Sequence, residues 1–317
     1  AATAAHLGLD QPPNFENRHW HLYVARPGHG SREKLVKARE KRVRPGRDEK
    51  VLVSWNALAI RGMARAGRVL GKPEWLSSAR RALRFIRGTM WRDGRLAATY
   101  KDGRAHLNAY LDDYALLIAA QLELLQDEFS SVELGFAVEL ADVLLEQFED
   151  PAQGGFFFTA RDHERLILRP KPAHDHATPS GNAVAAWALG RLAALTGAAR
   201  YARAAERTLQ LFYPAMLQQP GGFAMTAIAL EEHLAQPNTL VLRGRRERLR
   251  AWQDELAREY LPDTLVLAIA DGAPGVPALL DKPARPGDVN GWLCRGVSCL
   301  EPSADLVHLK HTLKEKA

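Results

Sequence analysis

Carboxylate, amide and aromatic side chains recur at three similar points of the chain, each at the start of a predicted helical hairpin. The three openings read Ser54-Trp55-Asn56-Ala57, Asp112-Asp113-Tyr114-Ala115 and Ser180-Gly181-Asn182-Ala183. A carboxylate can transfer protons, whereas amides, hydroxyls and aromatic rings can hold a polyhydroxylated or anionic ligand. We therefore predict that Asp113 is a catalytic acid or base, and that the substrate-binding residues at these openings are Trp55, Asn56, Tyr114, Ser180 and Asn182.

A histidine-containing loop, His174-Asp175-His176, leads to the third opening. Histidine changes its charge near neutral pH and often binds metals, so this loop could move protons or hold an ion. Since no third ligand is clustered with the two histidines, we expect no metal site. We predict a catalytic role for His174 and a substrate-binding role for Asp175, with a plain solvent-exposed loop as the alternative. The sequence lacks phosphate-loop, dinucleotide-binding and nucleophile-elbow motifs, and no cofactor is expected.

The residues at the openings also have a structural interpretation. Ser, Asp and Asn are preferred at helix N-termini, where their side chains accept hydrogen bonds from free backbone amides. Capping is the favoured role for Ser54, Asp112 and Ser180. For Asn56, Asp113 and Tyr114, a ligand-binding role and a structural role are equal alternatives. Adjacent residues at a helix start diverge by about 100°, so the two aspartates are not expected to act as a carboxylate pair.

Helical periodicity follows each opening twice, and each pair of helices ends at a glycine turn about 40 residues after its start, a repeat length typical of stacked helix pairs. The predicted helices are 55–70 and 74–91, then 114–125 and 132–148, then 182–195 and 199–217. The first helix of each pair is rich in alanine and the second is amphipathic, which indicates a crowded inner layer and an outer layer with one solvated face. The predicted fold class is therefore mostly α, an α/α toroid of helical hairpins. Three pairs supply half of a closed ring, so we expect either a partner that completes the ring or a homo-oligomer.

Other patterns divide the chain into three regions. Residues 1–50 form an irregular segment with a connector helix at 31–42, residues 51–236 hold the hairpin repeats, and residues 237–317 form a small α/β appendage. Short β-hairpins are predicted between the helix pairs, at 96–100 with a turn at 101–103, and at 156–159 returning through 166–168. The phenylalanines at 156–158 fit either a buried strand or a sugar-stacking platform. The appendage is predicted to run strand, helix, strand, hairpin and terminal helix, at 239–242, 245–260, 264–270, 292–299 and 304–314.

Composition places the protein among globular chains with a large core. It has 317 residues, of which 46% are hydrophobic. No apolar run approaches the roughly 18 residues that span a bilayer, so no membrane association is expected. The net charge of +6 comes mainly from arginines scattered over helical faces without interleaved aromatic residues, so we expect no nucleic-acid partner.

Cysteine usage and the N-terminal sequence bear on the compartment. Two cysteines, Cys294 and Cys299, are too few for a disulfide framework, which fits a reducing cytoplasm. They could bridge across a hairpin, but two free thiols are the favoured interpretation. The first five residues contain no initiator Met and no signal-peptide pattern. We expect a cytoplasmic protein and a truncated chain.

Several motifs stand in a characteristic order along nearly the whole chain. They read DEKVLVSWNA at 48–57, LDDYA at 111–115, GGFFFTA at 154–160, RPK at 169–171 and PSGN at 179–182. This order resembles the C-terminal region of the YyaL-type proteins, the relatives of spermatogenesis-associated protein 20, which are often described as thioredoxin domain-containing. Two positions depart from the family pattern, since Ala57 stands where glycine is usual and Glu49 where aspartate is usual.

The resemblance implies a six-hairpin glycosidase-like toroid, similar to those of glycosidases and N-acylglucosamine 2-epimerases, that follows a thioredoxin-like domain. No part of these 317 residues is expected to form that domain. The family carries no firmly assigned reaction. By analogy of fold, the expected function lies in carbohydrate metabolism, with a sugar-like or other polar small molecule bound at the toroid mouth and acid/base chemistry of the epimerase or glycosidase type. The alternative is a non-catalytic scaffold that holds a protein partner.

Overall fold

The computed structural model describes residues 1–27, 32–283, 285, 288–296 and 298–316. Residues 1–49 and residues 50–317 form two separate compact units. The first unit is mostly irregular and holds two short helices, α1 (Ala2–His6) and α2 (Arg32–Glu40). Helix α2 corresponds to the predicted connector helix at 31–42, whose first residue lies outside the described residues.

Seven helices of the second unit form two layers. They are α3 (Val53–Val69), α4 (Pro73–Phe85), α5 (Leu111–Leu125), α6 (Ser131–Phe148), α7 (Gly181–Thr196), α8 (Ala199–Gln218) and α9 (Ala224–Ala235). Helices α3, α5, α7 and α9 pack side by side in that order, and α4, α6 and α8 each pack on the helix that precedes them. The predicted class is confirmed: the fold is mostly α, a partial α/α toroid in which α3, α5, α7 and α9 are the inner helices.

The two layers follow from the distribution of side chains. Every residue of α5 except Asp112 is buried, as expected for a helix that is apolar on all sides. Helix α7 is also buried along most of its length, with small residues such as Ala185 and Ala188 that permit close packing. The outer helix α8 instead buries one face, which includes Tyr201 and Leu209, and exposes the opposite face to solvent.

The predicted set of three helix pairs is incomplete, because α9 is a fourth inner helix. It buries Met225 and Ala229 against its neighbours, but the same face carries Glu232. The carboxylate of Glu232 binds the guanidinium of Arg191, with Nη2 and Oε2 2.8 Å apart. A charged residue on the buried face weakens the apolar periodicity by which the other helices are recognised.

A small antiparallel sheet packs between the first two hairpins. Its strands are β1 (Val51–Leu52), β2 (Trp91–Arg92), β3 (Arg95–Lys101) and β4 (Arg104–Asn108), and β3 pairs with the other three. The predicted hairpin at 96–100 is therefore confirmed. The predicted helix 74–91 corresponds to α4 together with a π-helical turn, Ile86–Met90, that continues α4 from Phe85 into β2.

The second predicted β-hairpin, at 156–159 and 166–168, is wrong. Phe156 makes only an isolated bridge to Glu149, and residues 166–168 form no strand. Other groups take the backbone hydrogen bonds that a second strand would need. The amide of Phe156 donates to Asn182 Oδ1 at 2.7 Å, and that of Phe158 donates to the carbonyl of Pro170 at 2.8 Å.

The C-terminal part of the second unit is a four-stranded sheet with two helices. Its elements are β5 (Asn238–Gly244), α10 (Arg246–Leu256), β6 (Thr264–Ala270), β7 (Val289–Arg295), β8 (Ser298–Cys299) and α11 (Leu306–Lys316). The strand order is β6-β5-β7-β8, with β5 and β6 parallel and the other pairs antiparallel. Leu240, Leu242 and Val266 pack with α10 and α11 in a separate core cluster.

The expectation of two free thiols is wrong, since Cys294 and Cys299 form a disulfide. The two cysteines lie directly opposite each other in the pairing of β7 with β8. The strand register therefore brings the two side chains together, which sequence spacing alone left open.

Candidate functional site

The N-terminal ends of the four inner helices meet at one end of the layer. We call this region the rim, and define it as residues 53–56, 111–114, 180–183 and 223–225 with the loop 174–176. Ser54 N, at the start of α3, donates to Asp113 Oδ1 on α5 at 2.8 Å. A Cβ atom on Gly181, the first residue of α7, would lie 2.1 Å from Asp112 Oδ1, so α5 and α7 also touch there. The side chain of Asp175 links the starts of α7 and α9.

Asp113 joins two helix starts through its carboxylate. Besides the contact with Ser54, its Oδ2 accepts a hydrogen bond from the amide of Tyr110 at 2.9 Å. Only 4% of the residue is exposed. Burial raises the pKa of Asp113, and the two backbone amides oppose that shift. Both oxygens are thus engaged by the backbone, and the predicted catalytic role of Asp113 stays a prediction.

The predicted capping roles hold at one opening and fail at two. Ser180 is the N-cap of α7, and its Oγ accepts the amide of Ala183 at 3.4 Å. Helices α3 and α5 each begin two residues earlier than the predicted caps require, and their N-caps are Leu52 and Tyr110. Ser54 and Asp112 therefore lie in the first turn, and Asp113 at the third helical position accepts the N-cap amide instead.

Asn182 and Tyr114 lie inside the protein rather than on its surface. The side chain of Asn182 is fully buried, and its Nδ2 donates to the carbonyls of Phe156 at 2.9 Å and Pro172 at 2.7 Å. The hydroxyl of Tyr114 accepts the amide of Leu96 at 3.0 Å, and burial raises the pKa of Tyr114. Both residues attach irregular chain or sheet to an inner helix, and their predicted contact with a substrate is untested.

Asp175 repeats the role of Asp113 at the next pair of helices. Its Oδ1 accepts the amide of Ser180, and its Oδ2 accepts the amide of Met225, each at 2.8 Å. His174 is exposed beside it, with Nδ1 2.8 Å from the carbonyl of Asp175 and the ring edge-on to Phe223. Since a carbonyl only accepts, Nδ1 carries the hydrogen in this contact.

Trp55 is the large apolar residue that α3 presents at the rim, with 68% of its surface exposed. Asn56 is half-buried, and its Nδ2 donates to the carbonyl of Leu52 at 2.8 Å. Trp55 is thus available to a ligand, whereas the amide nitrogen of Asn56 holds the first turn of its own helix.

Asp112 differs from the other rim carboxylates in its surroundings. It is not among the site residues predicted from the sequence. Its Oδ1 is buried and has no hydrogen-bond partner among the described residues. Burial, and then the negative charge of Asp113, raise its pKa from the ordinary 3.8 to about 6. Asp112 lies against Gly181, which belongs to the third opening, and the glycine leaves room for the carboxylate. Only the fold shows that these two openings touch.

A cavity of about 620 Å³ lies away from the rim, between the C-terminal halves of α7 and α9. Small residues of α7 and α8 line one side, and Trp187, Glu232 and His233 line another. Trp187 Nε1 donates to Glu232 Oε2 at 2.9 Å, so the carboxylate is shared between this indole and Arg191. None of the predicted site residues lines this cavity.

Metal-binding clusters and membrane-spanning helices are both absent from the described part of the chain. No group of three or more His, Cys, Asp or Glu side chains in that part of the chain is placed to hold a metal ion. None of its helices is both long and apolar enough to cross a membrane.

Comparison with known proteins identifies homologues. The chain is 29% identical over 300 residues to spermatogenesis-associated protein 20 of Homo sapiens, and 30% identical over 255 residues to that of Rattus norvegicus. These alignments cover 89% and 76% of this chain but only 38% and 32% of the relatives, so the chain spans about a third of the length of the relatives that it matches. The resemblance inferred from the motifs is confirmed. No family model matches the chain.

Among solved structures, a cellobiose 2-epimerase from Bacillus thermoamylovorans B4167 superposes with a TM-score of 0.46 and 14% identity, over 54% of this chain and 46% of that one. A cellobiose 2-epimerase from Spirochaeta thermophila DSM 6192 gives a TM-score of 0.43 and 18% identity, over 51% and 43%.

Proposed function

The chain is a homologue of spermatogenesis-associated protein 20 over part of that protein's length, and we propose that its rim binds a carbohydrate-like small molecule and that Asp112 moves a proton on it. The observation that carries the proposal is the state of the Asp112 carboxyl group, which is desolvated, has an unpaired buried oxygen, and has a pKa raised to about 6. A group that titrates near neutral pH can both donate and accept a proton under working conditions.

The surroundings of Asp112 suit a polyhydroxylated ligand. Trp55 is exposed on the adjacent helix start and offers a flat apolar face of the kind that stacks on the C–H face of a sugar ring. The first residue of α7, Gly181, lies against Asp112, so a ligand that contacts this carboxyl group would also meet the positive end of the α7 helix dipole. His174 lies on the same rim, and in this proposal it is the second proton-handling group.

Asp113, Asp175 and Asn182 have a supporting role in the proposed site. Each of these side chains is bonded to backbone groups of two segments and fixes the helix starts around Asp112. A site whose reactive group is held by such a network needs little reorganisation during reaction. Proton transfer at Asp112 rather than at Asp113 is therefore what we propose for the acid/base step.

The test measures binding and proton exchange on simple aldoses. The purified chain is screened with glucose, mannose and cellobiose by thermal shift, and loss of the C2 proton signal is followed by ¹H NMR in D₂O. We expect stabilisation by at least one sugar and exchange at C2 that depends on Asp112. The variant Asp112→Asn should keep the binding shift and lose exchange by at least about 100-fold, the size typical of general acid–base catalysis.

The control is Glu146→Gln, which neutralises an exposed carboxylate on the outer helix α6 and should behave like the wild type. If no sugar stabilises the protein and no C2 exchange occurs, the proposal is overturned. If a sugar binds but Asp112→Asn exchanges as fast as the wild type, the role of Asp112 is overturned.

A second candidate function is a non-catalytic scaffold. It is favoured by the same network, because Asp113, Asp175 and Asn182 are polar residues of the rim and all of them are used in holding the fold together. A scaffold predicts no stabilisation by any of the three sugars, so the thermal-shift screen separates the two functions.

A further inference from the structure

The disulfide between Cys294 and Cys299 has an exposed side. Cys294 is buried in strand β7, with 5% of its surface exposed. Cys299 is exposed at the edge of the sheet, on β8. A reductant can therefore approach the sulfur of Cys299 while Cys294 is shielded. Exposed disulfides tend to be the more readily reduced ones.

A lysine lies against the exposed sulfur. Lys282 Nζ is 3.2 Å from Cys299 Sγ, and the side chain forms no ion pair with a carboxylate among the described residues. Burial disfavours the charged form of Lys282 and therefore lowers its pKa. A thiolate at Cys299 would supply the negative partner that this ammonium group lacks, and a neighbouring ammonium lowers the pKa of a thiol.

The disulfide closes a very small loop. The two cysteines are five positions apart, and the entropy gained by closing a loop grows with its length, so the bridge contributes little of this kind of stability. The paired strand β8 is only two residues long. Beyond β8, the amide of Leu300 donates to the carbonyl of Leu293 at 2.9 Å, and Gly291 pairs with Ser303, so a few backbone hydrogen bonds alone hold the hairpin once the disulfide is open.

The same hairpin forms part of a cavity wall. Arg295, Gly296 and Ser298, which lie between the two cysteines, line the cavity of about 620 Å³ next to Trp187 and Glu232. A change in the disulfide therefore reaches a part of the cavity lining that lies outside helices α7, α8 and α9.

We propose that Cys294 and Cys299 form a redox-active pair that exchanges with a dithiol, that Lys282 stabilises the Cys299 thiolate, and that reduction loosens the hairpin wall of the cavity. The proposal goes beyond the rim chemistry and does not depend on it.

The exchange takes two steps and transfers two electrons. A thiolate of the dithiol attacks Cys299 Sγ, the bond between the cysteines breaks, and its electron pair leaves on Cys294, which takes a proton from solvent. The second thiolate of the dithiol then attacks the dithiol's own sulfur in the mixed disulfide. The dithiol becomes a cyclic disulfide, and Cys299 leaves as a thiolate beside Lys282.

The experiment titrates the protein with mixtures of reduced and oxidised dithiothreitol at pH 7. Free thiols are trapped with a maleimide and counted by intact mass. We expect no labelling without reductant and labelling of both cysteines in a single two-electron transition. The variant Lys282→Gln should shift the reduction equilibrium toward the disulfide by roughly five- to tenfold, because the thiolate loses its cation. The matched control Lys72→Gln, on an exposed lysine of the same unit, should titrate like the wild type.

Two results would overturn the redox pair: labelling of both cysteines in the absence of reductant, or identical titrations for Lys282→Gln and the wild type. The cavity wall is tested on the wild type alone by hydrogen exchange with mass spectrometry. Reduction should increase exchange in peptides that cover β7 and β8 at least severalfold while leaving α5 unchanged. Equal protection of the hairpin in both redox states would refute the coupling to the cavity.

Discussion

Two aspartates that are adjacent in sequence differ in what their carboxylates contact. Asp113 accepts two backbone amides from different segments, whereas Asp112 Oδ1 accepts none. Their separation around the helix axis explains the difference, because one carboxylate points toward α3 and the other lies against Gly181 at the start of α7. The residue that best fits proton transfer is therefore not the one with the most hydrogen bonds.

Asp113→Asn should destabilise the protein. The substituted amide keeps one acceptor oxygen but turns an NH₂ group toward a backbone N–H, so one buried amide loses its partner. We expect the free energy of unfolding to fall by about 1–3 kcal/mol, measured by urea denaturation followed by circular dichroism. Glu146→Gln on the exposed side of α6 should change it by no more than about 0.5 kcal/mol. Equal stability of the two variants would show that the amides of Ser54 and Tyr110 find other acceptors.

Asp112→Asn should have an effect that depends on pH. The pKa of Asp112 in the folded protein, about 6, is above its ordinary value of 3.8, so the folded state binds the proton more tightly than the unfolded state does. The wild type therefore loses stability as the pH rises from about 4 to about 6, by up to roughly 3 kcal/mol. Removal of the charge abolishes this loss.

Denaturation at pH 3.5 and pH 7.5 checks this expectation. The free energies of unfolding of Asp112→Asn and the wild type should be similar at the lower pH, and the variant should be the more stable at the higher pH. A difference that is the same at both values would mean that Asp112 titrates normally in the folded protein.

The sequence predicted some of these residues and missed the environment of others. Ser180 was identifiable as an N-cap because capping depends on local chain geometry alone. Asp112 was assigned a cap because the start of α5 was placed too late. Its unusual environment depends on Gly181, about 70 residues further along the chain, and no local pattern reports a contact between two helices.

At the scale of elements, one device recurs between neighbouring inner helices. Asp113 joins the starts of α3 and α5, and Asp175 joins the starts of α7 and α9. In both cases one carboxylate satisfies amides that a helix N-terminus leaves without partners inside the helix. The openings that suggested a catalytic set are thus also the points where adjacent repeats are fastened to each other.

Substitution of Gly154 tests how tightly the turn that follows α6 is packed against α8. Its φ of +81° disfavours a side chain, and an added Cβ would lie 2.8 Å from the carbonyl oxygen of Arg207. Gly154→Ala combines backbone strain of about 1 kcal/mol with overpacking of about 1–3 kcal/mol. We expect a loss of about 2–4 kcal/mol in the free energy of unfolding, measured by chemical denaturation.

Gly103→Ala is the matched control for that substitution. Gly103 has a φ of +80°, and an added Cβ would meet no atom within 4 Å. Its substitution should cost the backbone strain alone, about 1 kcal/mol. If both variants lose the same stability, the close approach of the 150–155 turn to α8 has no energetic consequence.

Most elements follow from local periodicity, and the failures have tertiary causes. Helices α5 to α8 and strand β6 were predicted to within about three residues because their patterns are long and regular. Helix α9 was missed because Glu232 interrupts its apolar face in order to pair with Arg191. The strands expected at 156–159 and 166–168 do not form, since Asn182 takes the hydrogen bonds of Phe156.

At the scale of the whole molecule, the inner layer has two ends, α3 and α9. Near the α9 end, apolar side chains of α8 and α9 are exposed, namely Tyr213, Leu217, Ile228 and Leu234. Tyr213 and Leu217 are four positions apart and so project from the same face of α8. Clusters of exposed apolar residues commonly mark surfaces that associate.

We therefore expect the purified chain to self-associate through this end, with a second copy as the occupant. The double variant Leu217→Glu with Ile228→Glu should shift the population toward monomer at equal concentration, because two charges would be buried without partners in the contact. Sedimentation velocity over a concentration series measures the shift. Val132→Glu is the control, since Val132 and Leu217 are each 62% exposed but Val132 lies at the start of the outer helix α6. If the wild type sediments as a monomer at every concentration, or if Val132→Glu disperses it equally well, the α9 end is not the contact surface, and the exposed side chains reflect only the limited polar surface available to any globular protein.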